Sequence, residues 1–283
     1  MKDIIFLIKC PDQKGLLANI SSFFYNSGFN ILQCRQYTDT INNEYFMRIQ
    51  LDAAGLQTSR RELEETFGGF AKSYALEWSI HYSDYRPKVA VMVSKASHCL
   101  YDLLERYTEK ELHCEIALVL SNHPTLEYIA DQFRVPFFSL PVNADNKGEQ
   151  EKKVISLLDK HHIDLVIMAR YMQILSADFI NRYPERIINI HHAFLPAFEG
   201  GDPYRRAYER GVKMIGATAH YATADLDRGP IIAQDVEPIT HEHTPDNLKQ
   251  MGQDIERLVL SRAVRYHLEH RIIVANNRTV IFK

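Results

Sequence analysis

The 283-residue chain is predicted to be an α/β protein in two parts. A ferredoxin-like βαββαβ unit is expected over residues 1–84, and a doubly wound, mostly parallel sheet over residues 85–283. Three observations predict this. Two strand and helix cycles fit into the first eighty residues. A polar stretch at residues 84–88, containing Pro87, precedes a new apolar strand. Beyond it, β-branched runs alternate with helical patterns, as in a parallel sheet covered on both faces.

In the first unit, residues 4–9 read as a strand, 11–15 as a turn and 16–27 as a helix. Residues 29–37 and 44–51 read as strands paired around the polar turn Asn42-Asn43, residues 59–67 as a helix and 74–82 as a fourth strand. In the second unit, strands at 89–93, 114–120 and 165–168 alternate with helices at 97–106, 124–133 and 148–161. Pro124 suits a first helical position, and Ser176 suits the cap of a short helix that follows. A helix at 203–210, strands at 214–221 and 230–236, a long helix at 245–270 and a hairpin around Asn276-Asn277 complete the chain.

The composition, 46% hydrophobic and 24% charged, is that of a globular protein with a sizeable core. A net charge of −3 and a pI near 6.5 supply no electrostatic footprint for nucleic acid or an anionic membrane. No segment approaches the ~18 apolar residues of a membrane span. The four cysteines, Cys10, Cys34, Cys99 and Cys114, form no CxxC pair, so reduced thiols and a cytoplasmic setting are expected.

The chemistry concentrates in INIHHAFLP. Asn189 and His191 are two apart on an extended segment, so they point the same way and converge on one reacting atom. Downstream, ATADLDRGP offers Asp227. An amide donor, an imidazole and a carboxylate are the parts needed to attack a carbonyl with water or an amine. His192 points to the opposite side and is not assigned to the chemistry. Asp225 competes with Asp227, but Gly229-Pro230 permits a sharp loop beside Asp227. His220, on the strand leading to that loop, is expected to orient the carboxylate. The imidazoles of His191, His192, His220 and His241–His243 are too dispersed for a metal site, and HExxH is absent, so no metal is expected. Thr244 is read as the cap of the long helix.

At these residues the chain resembles the formyltransferase fold of enzymes that handle 10-formyltetrahydrofolate. The Asn-Ile-His triplet, Leu195-Pro196 and the run LDRGPII at residues 226–232 match in order and spacing. The resemblance covers residues 88–283 and implies catalytic roles for Asn189, His191 and Asp227. ARYMQIL, residues 169–175, looks like the segment lining the folate pocket, which implies substrate contacts from Met172, Gln173, Ile174 and Leu175. Ala193 stands where relatives often have Ser, and Gln173 where many have Arg.

The first eighty residues resemble an ACT domain, with CPDQKGLLANI in its first strand-to-helix turn. This implies an amino-acid effector, with Asp12, Gly15 and Asn30 as candidate contacts, and a homo-oligomer formed by sheet pairing. The two domains together resemble the formyltetrahydrofolate deformylases, hydrolases that release formate and tetrahydrofolate. That resemblance implies a part in supplying formate for purine biosynthesis and in balancing one-carbon pools, with the folate as substrate and no separate cofactor.

Related transferases carry a glycine-rich loop after the first strand to hold a substrate phosphate through backbone N–H groups. Here the strand is followed by SKASHC, without glycine, which favours water as acceptor. Two other readings are a formyltransferase acting on an amine, and an amino-acid-responsive regulatory protein with an inactive second domain. In the hydrolytic reading Asn189 and His191 stabilise the oxyanion. Asp227 orients and deprotonates water, directly or through His191. Whether His191 begins as imidazole or imidazolium is left open by the sequence.

Overall fold

The computed structural model describes residues 3–54, 59–143, 145–195 and 203–283. Pro196, and the stretch to residue 202 that follows it, lie outside the described residues. Strand β1, Asp3–Pro11, alternates buried and half-buried residues along its length, the period-two signature of a strand with one face on a core. Helix α1, Leu16–Asn26, and helix α2, Arg60–Ser73, cover that face, burying Ile20, Phe24, Leu63 and Phe67. Phe6 centres the packing, with ring centroids 4.9 Å from Phe24 and 4.6 Å from Phe67.

Strands β2 (Asn30–Asp39), β3 (Glu44–Asp52) and β4 (Glu77–Tyr82) complete an antiparallel sheet in the order β2-β3-β1-β4. β4 starts three residues later than the apolar pattern suggests. Helix α2 runs on to Ser73, and its end is closed by Ala75 at φ +53 and by Leu76 N–H donating to the Ala71 carbonyl at 2.9 Å. By compactness this unit takes in residues 270–275 and 280–283 as well as residues 1–86. The C-terminal strands β12 (Ile272–Ala275) and β13 (Arg278–Ile281) bring Ala275 and Phe282 against Phe46. Arg48, buried on β3, donates from Nε to the His270 carbonyl at 2.9 Å.

In the second unit, β5 (Lys88–Val93) and β8 (Leu165–Met168) are nearly continuous buried runs, as parallel strands covered on both faces must be. With β6 (Glu115–Ser121), β7 (Phe137–Ser139), β9 (Ile187–His191), β10 (Met214–Tyr221) and β11 (Ile231–Pro238) they form one sheet, ordered β11-β10-β9-β8-β5-β6-β7. The strands from β9 to β7 are parallel neighbours, whereas β10 runs antiparallel to both β9 and β11. The three-residue β7 is too short to give a periodic signal and was not expected from the pattern.

Helices α3 (His98–Thr108), α4 (Glu127–Gln132), α5 (Lys147–Lys160), α6 (Ala177–Arg182), α7 (Pro203–Arg210) and α8 (Pro245–Leu268) accompany the sheet. Pro124 opens a single 3-10 turn ahead of α4. Ser176 caps α6, its hydroxyl accepting from Phe179 N–H at 3.2 Å. Thr244 caps α8 in a capping box with Asn247. No helix among the described residues is long and apolar enough to cross a membrane.

Candidate active site

Ile187, Ile188 and Ile190 anchor β9 in the core, which leaves Asn189 and His191 half-buried on one face at the carboxyl end of the sheet. That is where open α/β sheets bind ligands. Strand register supplies the next group. His220 on β10 stands directly opposite Asn189, and Thr218 opposite His191. Asn189 Nδ2 therefore reaches His220 Nε2 at 3.2 Å. Thr218, fully buried, accepts from Leu195 N–H at 3.0 Å and donates to the Ala193 carbonyl at 2.9 Å, which fixes the path of the chain beyond His191.

Asp227 arrives on the turn between β10 and β11, in the left-handed region at φ +54. Gly229 makes the turn possible: a Cβ there would fall on the Tyr221 carbonyl oxygen. A bulge at Ala219/His220 re-aims the end of β10 towards the turn. The Asp227 carboxylate then faces two imidazoles, with Oδ2 3.1 Å from His191 Nδ1 and Oδ1 3.5 Å from His220 Nε2. The hydrogen bond from His191 outweighs burial and holds this carboxyl well below the usual carboxylate range. Asp225 does not enter the site. Its carbonyl accepts from Thr223 Oγ1 within the turn.

These contacts assign the protons. A backbone carbonyl only accepts, so His220 Nδ1, 3.0 Å from the Tyr221 oxygen, carries hydrogen. In the neutral ring its Nε2 is then an acceptor for the Asn189 amide. Ionised Asp227 likewise requires hydrogen on His191 Nδ1, which in the neutral ring leaves His191 Nε2 without one. That Nε2 is buried and has no hydrogen-bond partner among the described residues.

An open cleft of about 390 Å³ begins at Asn189, His220 and Asp227. Gln173, Ile174 and Leu175 form one wall, and residues 222–224 with Leu226 the other. Met172, expected to line this cleft, does not. Its side chain is largely exposed, and its N–H donates to the buried Ser94 hydroxyl at 2.9 Å, so it anchors the wall through its backbone.

The candidate effector residues do not converge within one chain. Asp12 and Gly15, the latter at φ +85, share the turn after β1. Asn30 pairs with Asp52, which pairs with Asp3, and this places Asn30 at the other end of β1, roughly 30 Å away.

A second polar cluster escaped the sequence reading. Glu256 of α8, 1% exposed, accepts from Tyr204 Oη at 2.6 Å and pairs with His98 Nε2 at 2.8 Å. Arg170 Nε lies 3.4 Å away without hydrogen-bond alignment. His98, Cys99 and Glu256 also bring potential metal donors within 4.8 Å of one another. Glu256 is already committed to His98 and Tyr204, however, and burial pushes the Cys99 thiol well up, away from the thiolate a metal needs. The only sequence signal for this cluster was the Glu in an otherwise apolar stripe of the long helix.

The formyl transferase family matches residues 87–264, and the ACT domain matches residues 4–68. A formyltetrahydrofolate deformylase of Synechocystis is 50% identical, covering 98% of this chain and 97% of its own. One from Bacillus subtilis is 45% identical over 98% and 92%. The chain belongs to the formyltetrahydrofolate deformylase family. A crystal structure of a deformylase from Pseudomonas syringae superposes with a TM-score of 0.97 at 39% identity, covering 100% of this chain and 95% of its own. A glycinamide ribonucleotide transformylase from Symbiobacterium toebii matches more distantly, with a TM-score of 0.65 at 28% identity over 70% of this chain and 95% of its own. The deformylase likeness thus spans both units, and Asn189, His191 and Asp227 lie inside the formyl transferase match.

Proposed function

We propose that the chain hydrolyses 10-formyltetrahydrofolate to formate and tetrahydrofolate, with His191 Nε2 as the atom that handles the proton. The observation that carries this reading is the His191–Asp227 pair, with Asp227 lining the cleft and His191 Nε2 unpartnered among the described residues. Asp227, held far down by the His191 hydrogen bond, is a weak base in its own right. It acts by orienting His191 and stabilising the imidazolium. His191 Nε2 takes a proton as water adds to the formyl carbon. Asn189 Nδ2, steadied by His220, donates its second hydrogen to the oxyanion. The Nε2 proton then passes to N10 of the folate as the carbon–nitrogen bond breaks.

Purified protein given 10-formyltetrahydrofolate and no acceptor tests this. Formate and tetrahydrofolate are expected in equal amounts from the unaltered chain, and neither above background from His191→Ala. Release that begins only when an amine is added would make the chain a transferase.

We further propose a homo-oligomer in a reducing, cytoplasmic compartment, where the formate supplies purine synthesis and the folate needs no added cofactor. All four cysteines are free thiols, and three of them are buried. An amino-acid effector is proposed at the turn carrying Asp12 and Gly15. Calorimetry on the full chain should show amino-acid binding that Gly15→Ala, which forbids φ +85, removes. Heat that is unchanged in that variant would place the effector elsewhere.

A further inference from the structure

The sheet reverses its strand order between β5 and β8. From β5 the chain builds outward through β6 and β7, then returns to add β8 and β9 on the other side. Connections diverge at such a point and leave a crevice beyond the strand ends, the usual seat of a ligand in an open α/β sheet. His98 follows β5 in sequence, Arg170 follows β8, and His192 follows β9.

This crevice is occupied by the protein itself. Glu256 reaches in from α8, pairs with His98 at 2.8 Å, accepts from Tyr204 at 2.6 Å and has the Arg170 guanidinium charge 3.4 Å away. Two hydrogen-bond donors and a guanidinium charge, from three separate segments, converge on one buried carboxylate, the arrangement a bound anion would produce. Burial would push the Glu256 carboxyl up, but His98, Arg170 and Tyr204 together hold it below its ordinary range, so it stays charged. Tyr204 closes the crevice where its ring packs against Gly252 of α8. A Cβ at Gly252 would fall on its ring, and glycine is therefore required where α7 meets α8.

The filled crevice adjoins the reacting centre. His192 stacks on His191 with ring centroids 4.7 Å apart, and it feels the charges of both Arg170 and Glu256. An acceptor larger than water has to bring its amine to the formyl carbon from a space beside Asn189 and His191. The cleft along Gln173–Leu175 is assigned to the folate, and the neighbouring ligand space is the switch-point crevice.

We infer that Glu256 and Tyr204 stand in for a second substrate, closing the acceptor side of the site so that water alone reaches the formyl carbon. This rests on the hydrolytic reading above. With the crevice opened, an amine nitrogen would attack the formyl carbon and break its bond to N10. The amine would lose one proton and N10 would gain one, giving an N-formyl amide and tetrahydrofolate.

The test is the ratio of formate to tetrahydrofolate made from 10-formyltetrahydrofolate with excess glycinamide, a small primary amine. The unaltered protein should give 1:1 with or without the amine. Tyr204→Ala should keep releasing tetrahydrofolate while N-formylglycinamide rises at least tenfold over background at the expense of formate. Tyr204→Leu, which keeps apolar packing against Gly252 but vacates the outer ring, is the second variant. Glu256→Gln keeps the crevice filled and should stay at 1:1. A folded, active Tyr204→Ala or Tyr204→Leu that still gives 1:1 overturns the inference. So does failure of both to fold, which would make the cluster a structural clamp. Absence of formate from the unaltered protein would count against hydrolysis instead.

Discussion

His191 Nδ1 lies 3.1 Å from Asp227 Oδ2, and this one contact decides which ring nitrogen carries the hydrogen. Asparagine tolerates the left-handed conformation that Asp227 adopts, so Asp227→Asn should fold normally. It loses the charge that steadies the imidazolium and allows the wrong tautomer. The expected fall in kcat is on the order of 10⁴-fold, with binding of tetrahydrofolate unchanged. Steady-state kinetics with fluorescence titration of tetrahydrofolate measures both. Wild-type-like turnover would remove Asp227 from the mechanism.

Asn189→Ala removes the proposed oxyanion donor and should cost ~2.7–4 kcal/mol in the barrier, about 10²–10³ in kcat. In the proposed mechanism His220 acts partly through the same amide, at 3.2 Å. The double variant Asn189→Ala/His220→Ala should therefore lose less than the product of the single losses. Strictly multiplicative losses would show that His220 works independently of Asn189.

Gly229→Ala places a methyl on the Tyr221 carbonyl and forces the Asp227 turn open. Activity should drop at least as far as in Asp227→Asn, although the seven-stranded sheet is retained. Circular dichroism and kcat on the same sample check this. Full activity would mean that the turn relaxes without moving Asp227.

Acid should destabilise the chain before its carboxylates titrate. His81 is held down to about 4 by burial and then by the charge of Arg48. His192 is held to about 4 by burial, then by Arg170 and His191. Unfolded, both rings bind a proton near pH 6.5. The unfolded state thus takes up protons that the folded state refuses, and stability present above about pH 6.5 is lost as pH falls towards 4. Urea midpoints at pH 7, 6 and 5 should decrease in that order, with a shallower trend in His81→Gln. Midpoints that are flat or rise on acidification would refute the assignment.

What was legible in the sequence was what depends on local spacing. Asn189 and His191 share a face because strands alternate, and β5 and β8 read as buried because they are continuous apolar runs. Asp227 was found through its Gly-Pro turn and the family likeness. The contacts that complete the site depend on register and on distant chain. His220 meets Asn189 only because β10 pairs antiparallel to β9 in one particular register. His98 and Glu256 are 158 residues apart, and a Glu on a long helix ordinarily reads as a solvated charge. Asn30 was grouped with Asp12 and Gly15 because a list of turn residues carries no direction, whereas helix α1 returns the chain to the opposite end of the sheet. Arg48 binding the His270 carbonyl, 222 residues away, is likewise invisible to any window.

The most direct test of the hydrolytic reading is turnover of 10-formyltetrahydrofolate at neutral pH in ¹⁸O-labelled water, with mass analysis of the product. The mechanism at His191 and Asp227 predicts formate carrying a single solvent-derived oxygen, in amounts equal to tetrahydrofolate. Formate without the label, or tetrahydrofolate without formate, would contradict water as the acceptor.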